Sequence, residues 1–477
     1  MTTIKKHLFA ILFFIVFAVL LLYRLFASFN FHPDFARDIF DMLTIIQGKL
    51  TLIGPKLSFG GIYSGPYYYY LLTPVLYMSN LNPNALLVFN ALIFIAGGVA
   101  FYVLLPRKTG VPFRILATAV LSMLPFYVTG ARGPWNGWTY LPLLLVYFSL
   151  IFFVNMEKRP LALLATGFLG GVIVNIHLVS LPVVLVAALY LALTLEDKKW
   201  LVIFAAGFSA AFIPLAVFEI KHNFVMFKNT FLVGSYKTFV ENNNIPNAVS
   251  GKKNVLENFG FIVEKLSQQV GIALIFYGAV MAYVFKPADR RGKFLAIASF
   301  ILVAVFAVAL RFQFGGHYLY PVSLFLTFAF VSSLIKTNFR WIALVLLLAE
   351  IISFPKNIYT QSARMASTFE KRVSYVIDHS LVRRGQSFNV IQISKEYGAY
   401  IPVGHEYRFF FRKNGFVPKT EFEYNASDTL LVFSEIRNFD LSKLDNWEVR
   451  EYGRENLIGA RKYEDHGTTL YVINKTK

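Results

Sequence analysis

The sequence predicts an all-α polytopic membrane protein with a small α+β domain at its C-terminal end. Three observations predict it. Hydrophobic residues make up 56% of the 477-residue chain and charged residues 15%, against roughly 25% charged in ordinary soluble domains. Apolar runs about long enough to cross a hydrocarbon core as helices recur through the first three quarters. From about Pro355 the apolar runs shorten to strand length.

The predicted spans, taken in order, cover about 7–27, 84–105, 113–130, 137–155, 161–178, 179–194, 200–218, 268–285, 293–310, 317–335 and 338–354. They are helices because backbone groups in lipid must be satisfied within the segment. A barrel would instead show short alternating strands. The first run follows Lys5 and Lys6, has no A-x-A site and exceeds a signal h-region, so it reads as an anchor with a cytoplasmic N-terminus.

The run Tyr67–Met78 is short for a span and contains Pro74, which suits an interfacial or re-entrant helix. On that reading the short connections holding Arg107, Lys108, Lys158, Arg159, Lys198, Lys199, Lys286, Arg290, Arg291 and Lys336 all fall inside. About 11 transmembrane helices then form a domain over 1–354, with outer loops at 28–83 and 219–267. An extracytoplasmic α+β domain follows over 355–477. Its helical pattern covers about Ser362–His379, and its strand-length runs are Asn389–Ile393, Tyr407–Phe411, Leu430–Phe433 and Leu470–Ile473.

The chain has no cysteine, which excludes disulfides, thiol catalysis and Cys-ligated metal. Its net charge of +19 would suggest nucleic acid in a soluble protein. Here the strip of basic connections on one side of the membrane accounts for much of it, so no nucleic-acid partner is expected. Aromatics reach 17%, and many of the 26 Tyr sit at run ends, as an interfacial belt places them.

The first outer loop reads His32-Pro33-Asp34-Phe35-Ala36-Arg37-Asp38-Ile39-Phe40-Asp41. Asp34, Asp38 and Asp41 share one helical face by their spacing. Carboxylates this close raise at least one pKa and suit a general base, with Arg37 offsetting part of the repulsion. The same pattern also fits a solvated amphipathic helix on the membrane surface. Next come Gly54-Pro55 and Gly60-Gly61-Ile62-Tyr63-Ser64-Gly65-Pro66-Tyr67-Tyr68-Tyr69-Tyr70, a tight irregular connection. Four consecutive tyrosines cannot all face lipid, so some of them line a polar cleft, with an aromatic membrane anchor as the other reading.

Further polar groups fall at the predicted outer ends of spans. Arg132, Trp135 and Asn136 follow the third, Glu219, Lys221 and His222 the seventh, and Arg311, His317 and Tyr318 join the ninth to the tenth. Basic groups beside an outer-leaflet cavity are suited to a lipid phosphate. His177 ends the fifth span, where a structural role competes with a functional one. Glu350 in the last span has no evident purpose in the sequence.

This order of parts resembles the GT-C superfamily of polyprenyl-phosphate-sugar-dependent glycosyltransferases, in particular the bacterial protein-mannosyltransferase-like and aminoarabinose-transferase-like branch. In that branch the outer loop typically reads Pro-Asp-Glu-x-Arg. Pro33, Asp34, Ala36 and Arg37 match it, while Phe35 replaces the Glu, for which Asp38 is the nearest substitute. Gly65-Pro66-Tyr67, Arg132 with Trp135-Asn136, Phe218-Glu219-Ile220-Lys221-His222 and His317-Tyr318 also look like motifs of this branch. The resemblance covers the architecture of 1–354, and the tail matches in position alone.

The resemblance implies an inverting transfer of sugar from a polyprenyl-phosphate donor to an acceptor protein, lipid or cell-envelope glycan on the outer face of the cytoplasmic membrane. Asp34 is then the general base, with Asp38 as the second catalytic carboxylate. Arg132, Lys221, His222, Arg311 and His317 bind the donor phosphate. Arg37, Tyr63, Tyr67, Tyr68, Trp135, Asn136, Glu219 and Tyr318 line the substrate cleft. No organic cofactor and no tightly held metal is expected; a weakly bound divalent cation between Asp34 and Asp38 is the one ionic alternative. The competing functions are a multi-span transporter or lipid flippase and an inactive scaffold. The sequence shows one interrupted segment and no internal repeat, whereas transporters commonly show both in two halves.

Overall fold

The computed structural model describes residues 3–57, 61–233, 255–270, 290–309, 316–335, 339–396, 402–465 and 467–475. The span expected over 268–285 falls almost wholly outside these, as does Arg311. The chain divides into two compact units. The first gathers Met1–Leu25, Leu50–Val75 and Ala85–Ile358; the second gathers Phe26–Lys49, Leu76–Asn84 and Tyr359–Lys477. The helix holding Asp34 therefore belongs with the C-terminal tail, although more than 300 residues of chain separate them.

The first unit is helical. Among the described residues four helices are long and apolar enough to cross a membrane: Pro83–Leu104, Asn136–Phe153, Arg290–Val308 and Gly316–Leu334. Four shorter apolar helices, His7–Leu22, Pro160–Ile176, Leu178–Thr194 and Trp341–Ile352, also match predicted spans. Two predicted spans are not straight. Val111–Ser122 meets Pro125–Ala131 at 73°, and Lys199–Ala210 meets Ile213–Lys221 at 52°. Proline opens the second member of each pair. It has no N–H to continue the preceding helix, and its ring clashes with the carbonyl four residues back. The chain thus has more interrupted segments than its apolar runs suggest.

Glycines set the closest packing in this unit. A Cβ at Gly167 would overlap the Phe204 carbonyl, one at Gly207 the Leu164 carbonyl, and one at Gly171 the Phe208 carbonyl. Gly167 and Gly171 form a small-xxx-small face, which lets backbones approach where lipid supplies no hydrophobic drive between helices.

The region 219–267, expected as an outer loop, contains a helix at Val255–Val270. Ile262 and Leu266 on that helix pack against Phe306, Leu319, Val322 and Leu326, so it joins the helical core of the unit. Glu257, Glu264, Lys265 and Gln268 interrupt its apolar residues, which is why it does not read as an apolar run.

Two basic residues predicted for one side, Arg290 and Arg291, and Arg340 at the start of the last predicted span meet helix ends. Arg290 donates to the Leu193 carbonyl at 3.1 Å and Arg291 to the Phe152 carbonyl at 3.4 Å. Arg340 donates to the carbonyls of Thr109 at 3.2 Å and Ile335 at 2.6 Å. Carbonyls at helix C-termini have no intrahelical donor, and cations satisfy them there.

The second unit is built on a four-stranded mixed sheet. Its strands are β1 (Phe388–Ile393), β2 (Thr429–Ser434), β3 (Arg461–Asp465) and β4 (Thr468–Asn474), in the order β1-β2-β4-β3. β1 and β2 are parallel, β2 and β4 antiparallel, and β3 and β4 antiparallel. One face buries Ile391, Ile393, Leu430, Val432 and Ile473 with Tyr424, Val449 and Tyr452. The other receives Tyr407, stacked 3.9 Å from Phe433, and Phe411, 5.1 Å from Phe388.

Three of the four expected strands and the helix (Ala366–Asp378) are present. The exception is Tyr407–Phe411, which lies in a helix, His405–Lys413. Gly404 and Gly415 bracket it with φ of +66° and +79°, Glu406 sits in its first turn and Arg412 and Lys413 in its last. These are helix start and stop signals that outweigh a short aromatic run. β3, with the sequence Arg-Lys-Tyr-Glu-Asp, carries no apolar alternation and was not expected.

Candidate active site

The acidic motif forms the helix Pro33–Ile46 in the second unit. Pro33 fills its first turn, where a missing N–H costs nothing. His32 caps it, its Nδ1 accepting from the Phe35 N–H at 3.2 Å. Phe31 anchors the start, with ring centroids 5.7 Å from Phe369 and 5.8 Å from Phe410. The Phe31 N–H donates to the Arg364 carbonyl at 2.7 Å. Farther along, the Arg412 guanidinium lies 5.0 Å from the Phe40 ring.

Asp34 and Asp38 differ sharply in environment. The Asp34 side chain is 55% exposed, and that of Asp38 is fully buried. Arg37 joins them. Its Nη1 donates to Asp34 Oδ1 at 3.0 Å, while Nε and Nη2 donate to Asp38 Oδ1 at 3.1 and 2.8 Å. Burial pushes the Asp38 carboxyl up to about 7, against the pull of Arg37 and with help from Asp34 and Asp41. Burial also lowers the His32 imidazole, with the Asp34 charge opposing. Arg37 thus takes one oxygen, Oδ1, of each carboxylate. Among the described residues no group of three or more His, Asp or Glu is placed to hold a metal.

The remaining described candidates lie in the first unit, where the structure brings several of them into two clusters. In one, Trp135 stands 4.8 Å from His317, and His317 4.2 Å from Tyr318. His177 is 6.4 Å from His317 and 6.1 Å from Tyr318, and it stacks on Tyr140 at 5.3 Å. Asn136 opens the short helix that follows Trp135 and is buried. In the second cluster Tyr63 packs 6.1 Å from Phe218, which stacks on His222 at 4.1 Å. Asn229 Nδ2 donates to the Gly61 carbonyl at 3.0 Å.

The glycine-rich connection is pinned to the fifth span. The Gly65 N–H donates to the Asn175 carbonyl at 2.8 Å, and a Cβ at Gly65 would overlap the Asn175 side chain. Tyr67 lies 5.9 Å from Phe168, and Tyr68 is fully buried.

Arg132, expected at the donor phosphate, and Glu219, expected in the substrate cleft, have backbone partners. Arg132 is buried and donates to the carbonyls of Leu20, Leu21 and Tyr23 at 3.2, 2.6 and 3.0 Å, closing the end of the first helix. Glu219 accepts from the N–H groups of Met226 and Phe227 at 2.9 and 3.0 Å. Lys221 is exposed. Glu350, unexplained by sequence, is buried on the last apolar helix. The sequence pointed only weakly to His177 and not at all to Tyr140. A histidine at the break between two apolar runs, followed by Pro182, is the signal that was present.

The chain is similar in fold to solved membrane glycosyltransferases. One of them is the aminoarabinose transferase ArnT from Cupriavidus metallidurans. Its apo structure superposes with a TM-score of 0.57 at 11% identity, covering 98% of each chain. Its structure bound to undecaprenyl phosphate gives 0.58 at 10% identity, covering 99% of each. An Archaeoglobus fulgidus oligosaccharyltransferase aligns with a TM-score of 0.45 at 12% identity over 88% of this chain and 67% of its own. No family model and no curated protein matches the sequence.

Proposed function

We propose that this chain is a membrane glycosyltransferase that moves a sugar from a polyprenyl-phosphate donor to an acceptor at the outer membrane face, with inversion. The observation that carries the reading is its end-to-end likeness to ArnT, one structure of which holds undecaprenyl phosphate. A chain with this fold and an exposed carboxylate steadied by an arginine has the parts for acyl-free group transfer by direct displacement.

Asp34 is the general base. As an acceptor O–H or N–H attacks the anomeric carbon, its proton passes to Asp34. The bond from that carbon to the phosphate oxygen breaks, and its electron pair leaves with polyprenyl phosphate. General-base help of this kind is worth about 10²–10⁴-fold. Arg37 fixes the rotamer of Asp34, and Asp38 holds Arg37. The leaving phosphate needs charge stabilisation rather than an acid, which Lys221, His222, His317 and Arg311 supply. We leave Arg132 out of that set because its donors close the first helix. The N-terminus is cytoplasmic and the tail extracytoplasmic.

The test is incubation of membranes containing the chain with labelled polyprenyl-phosphate sugars. Label should pass to a non-lipid or lipid acceptor with release of polyprenyl phosphate. No transfer from any donor in the presence of envelope extract would overturn the reading.

A further inference from the structure

We propose that Tyr140 and His177, walled by Trp135, His317 and Tyr318, form the subsite for the sugar ring of the donor. This rests on the glycosyltransferase reading and adds to it a location and a ligand chemistry.

Both residues sit where helices break. His177 separates Pro160–Ile176 from Leu181–Thr194 with extended φ and ψ of −150° and 109°. Tyr140 joins the short helix Asn136–Thr139 to Leu141–Phe153. Irregular backbone within an apolar bundle is tolerated where it is covered by protein or lines a cavity. The imidazole of His177 lies nearly parallel to the Tyr140 ring, at 16°.

Tyr140 is fully buried and His177 is 7% exposed. Among the described residues neither the Tyr140 hydroxyl nor His177 Nδ1 has a hydrogen-bond partner. Leaving such groups unpaired costs about 1–3 kcal/mol each. Two of them on one stacked pair mark a place where a ligand supplies the missing bonds.

The chemistry selects the ligand. A tyrosine hydroxyl and a neutral imidazole can each donate or accept. That versatility matches sugar hydroxyls, which do the same. The ring C–H groups of a sugar are matched by flat aromatic walls, and Trp135, His317 and Tyr318 supply these. A phosphate, by contrast, takes its strongest hydrogen bonds from Arg, Lys and backbone N–H groups.

The test measures binding by the purified full-length chain in detergent. The probes are undecaprenyl phosphate and undecaprenyl phosphate carrying a hexose or a pentose. The wild type should bind a sugar-bearing lipid more tightly than the bare one. His177→Ala and Tyr140→Phe should each weaken the sugar-bearing lipid about tenfold, on the order of 1.4 kcal/mol, and leave the bare lipid unchanged. His177→Gln should recover part of the loss. Should His177→Ala fail to fold, Tyr140→Phe removes a single oxygen and carries the test. Equal loss for both lipids, or no preference by the wild type, overturns the sugar subsite while leaving the transferase reading intact. Failure of the wild type to bind either lipid overturns both.

Discussion

Arg37 holds the buried Asp38 through two hydrogen bonds of 2.8 and 3.1 Å to a single carboxylate oxygen. Its remaining arm reaches the exposed Asp34 at 3.0 Å. The arrangement keeps one carboxylate open to solvent by tethering it to another that is sealed in.

If Asp34 is the base, Asp34→Asn should lower transfer by about 10²–10⁴-fold with little change in thermal unfolding in detergent, because the side chain is half-exposed. Single-turnover transfer of labelled sugar checks it. Near-normal turnover would remove Asp34 from that role.

Removing Arg37 leaves the buried Asp38 carboxyl without this donor. Arg37→Met should destabilise the chain by about 1–3 kcal/mol, the cost of leaving a buried polar group unsatisfied. Adding Asp38→Asn should restore most of it. The double-mutant cycle is read from detergent melting midpoints.

The same carboxyl predicts a pH dependence. Asp38 holds its proton up to about 7 in the folded chain and releases it near 3.8 when unfolded. Between those values unfolding releases a proton, so stability falls as pH rises from about 4 to 7 and levels off above. Glu406, pushed up to about 7 by burial, acts in the same direction. Asp38→Asn should therefore flatten the melting profile over that window in part. An unchanged slope would show that Asp38 does not titrate there.

Arg132 closes the first helix through its contacts to the carbonyls of Leu20, Leu21 and Tyr23. Arg132→Gln should lower the melting midpoint through loss of its three carbonyl contacts, by about 1–3 kcal/mol, without changing affinity for undecaprenyl phosphate. A selective loss of lipid binding at unchanged stability would return it to the phosphate site.

Gly65 admits no side chain. Gly65→Ala should force the glycine-rich connection off Asn175 and cost about 1–3 kcal/mol, the usual penalty for overpacking. The companion Gly65→Ala/Asn175→Gly should recover part of it.

Much of this fold was legible because lipid imposes a simple code. Long apolar runs became helices, and Pro33-Asp34 with Arg37 four residues before Asp41 became a capped helix. What stayed hidden had a physical reason in each case. The helix Val255–Val270 buries Ile262 and Leu266 yet carries Glu257, Glu264, Lys265 and Gln268 among its apolar residues, so its mean polarity concealed it. Tyr407–Phe411 has strand-like composition, but Gly404 and Gly415 dictate where a helix begins and ends. The bends at Pro125 and Pro214 were visible as prolines and hidden as angles. At the site, Arg132 and Glu219 were recognisable as charged residues at helix ends, but only coordinates reveal that each satisfies backbone groups. His177 and Tyr140 are far apart in sequence and ordinary in type, and their stacking is a tertiary fact.

The Asp34 helix packs with residues from Tyr359 onward, including Arg364, Phe369 and Phe410. An N-terminal fragment released from the ribosome before that stretch is made would display the acidic motif with its hydrophobic underside bare. Assembly of the acidic helix thus waits until the stretch from Tyr359 onward has been made. A truncation that removes this stretch should leave the helix without its packing partners.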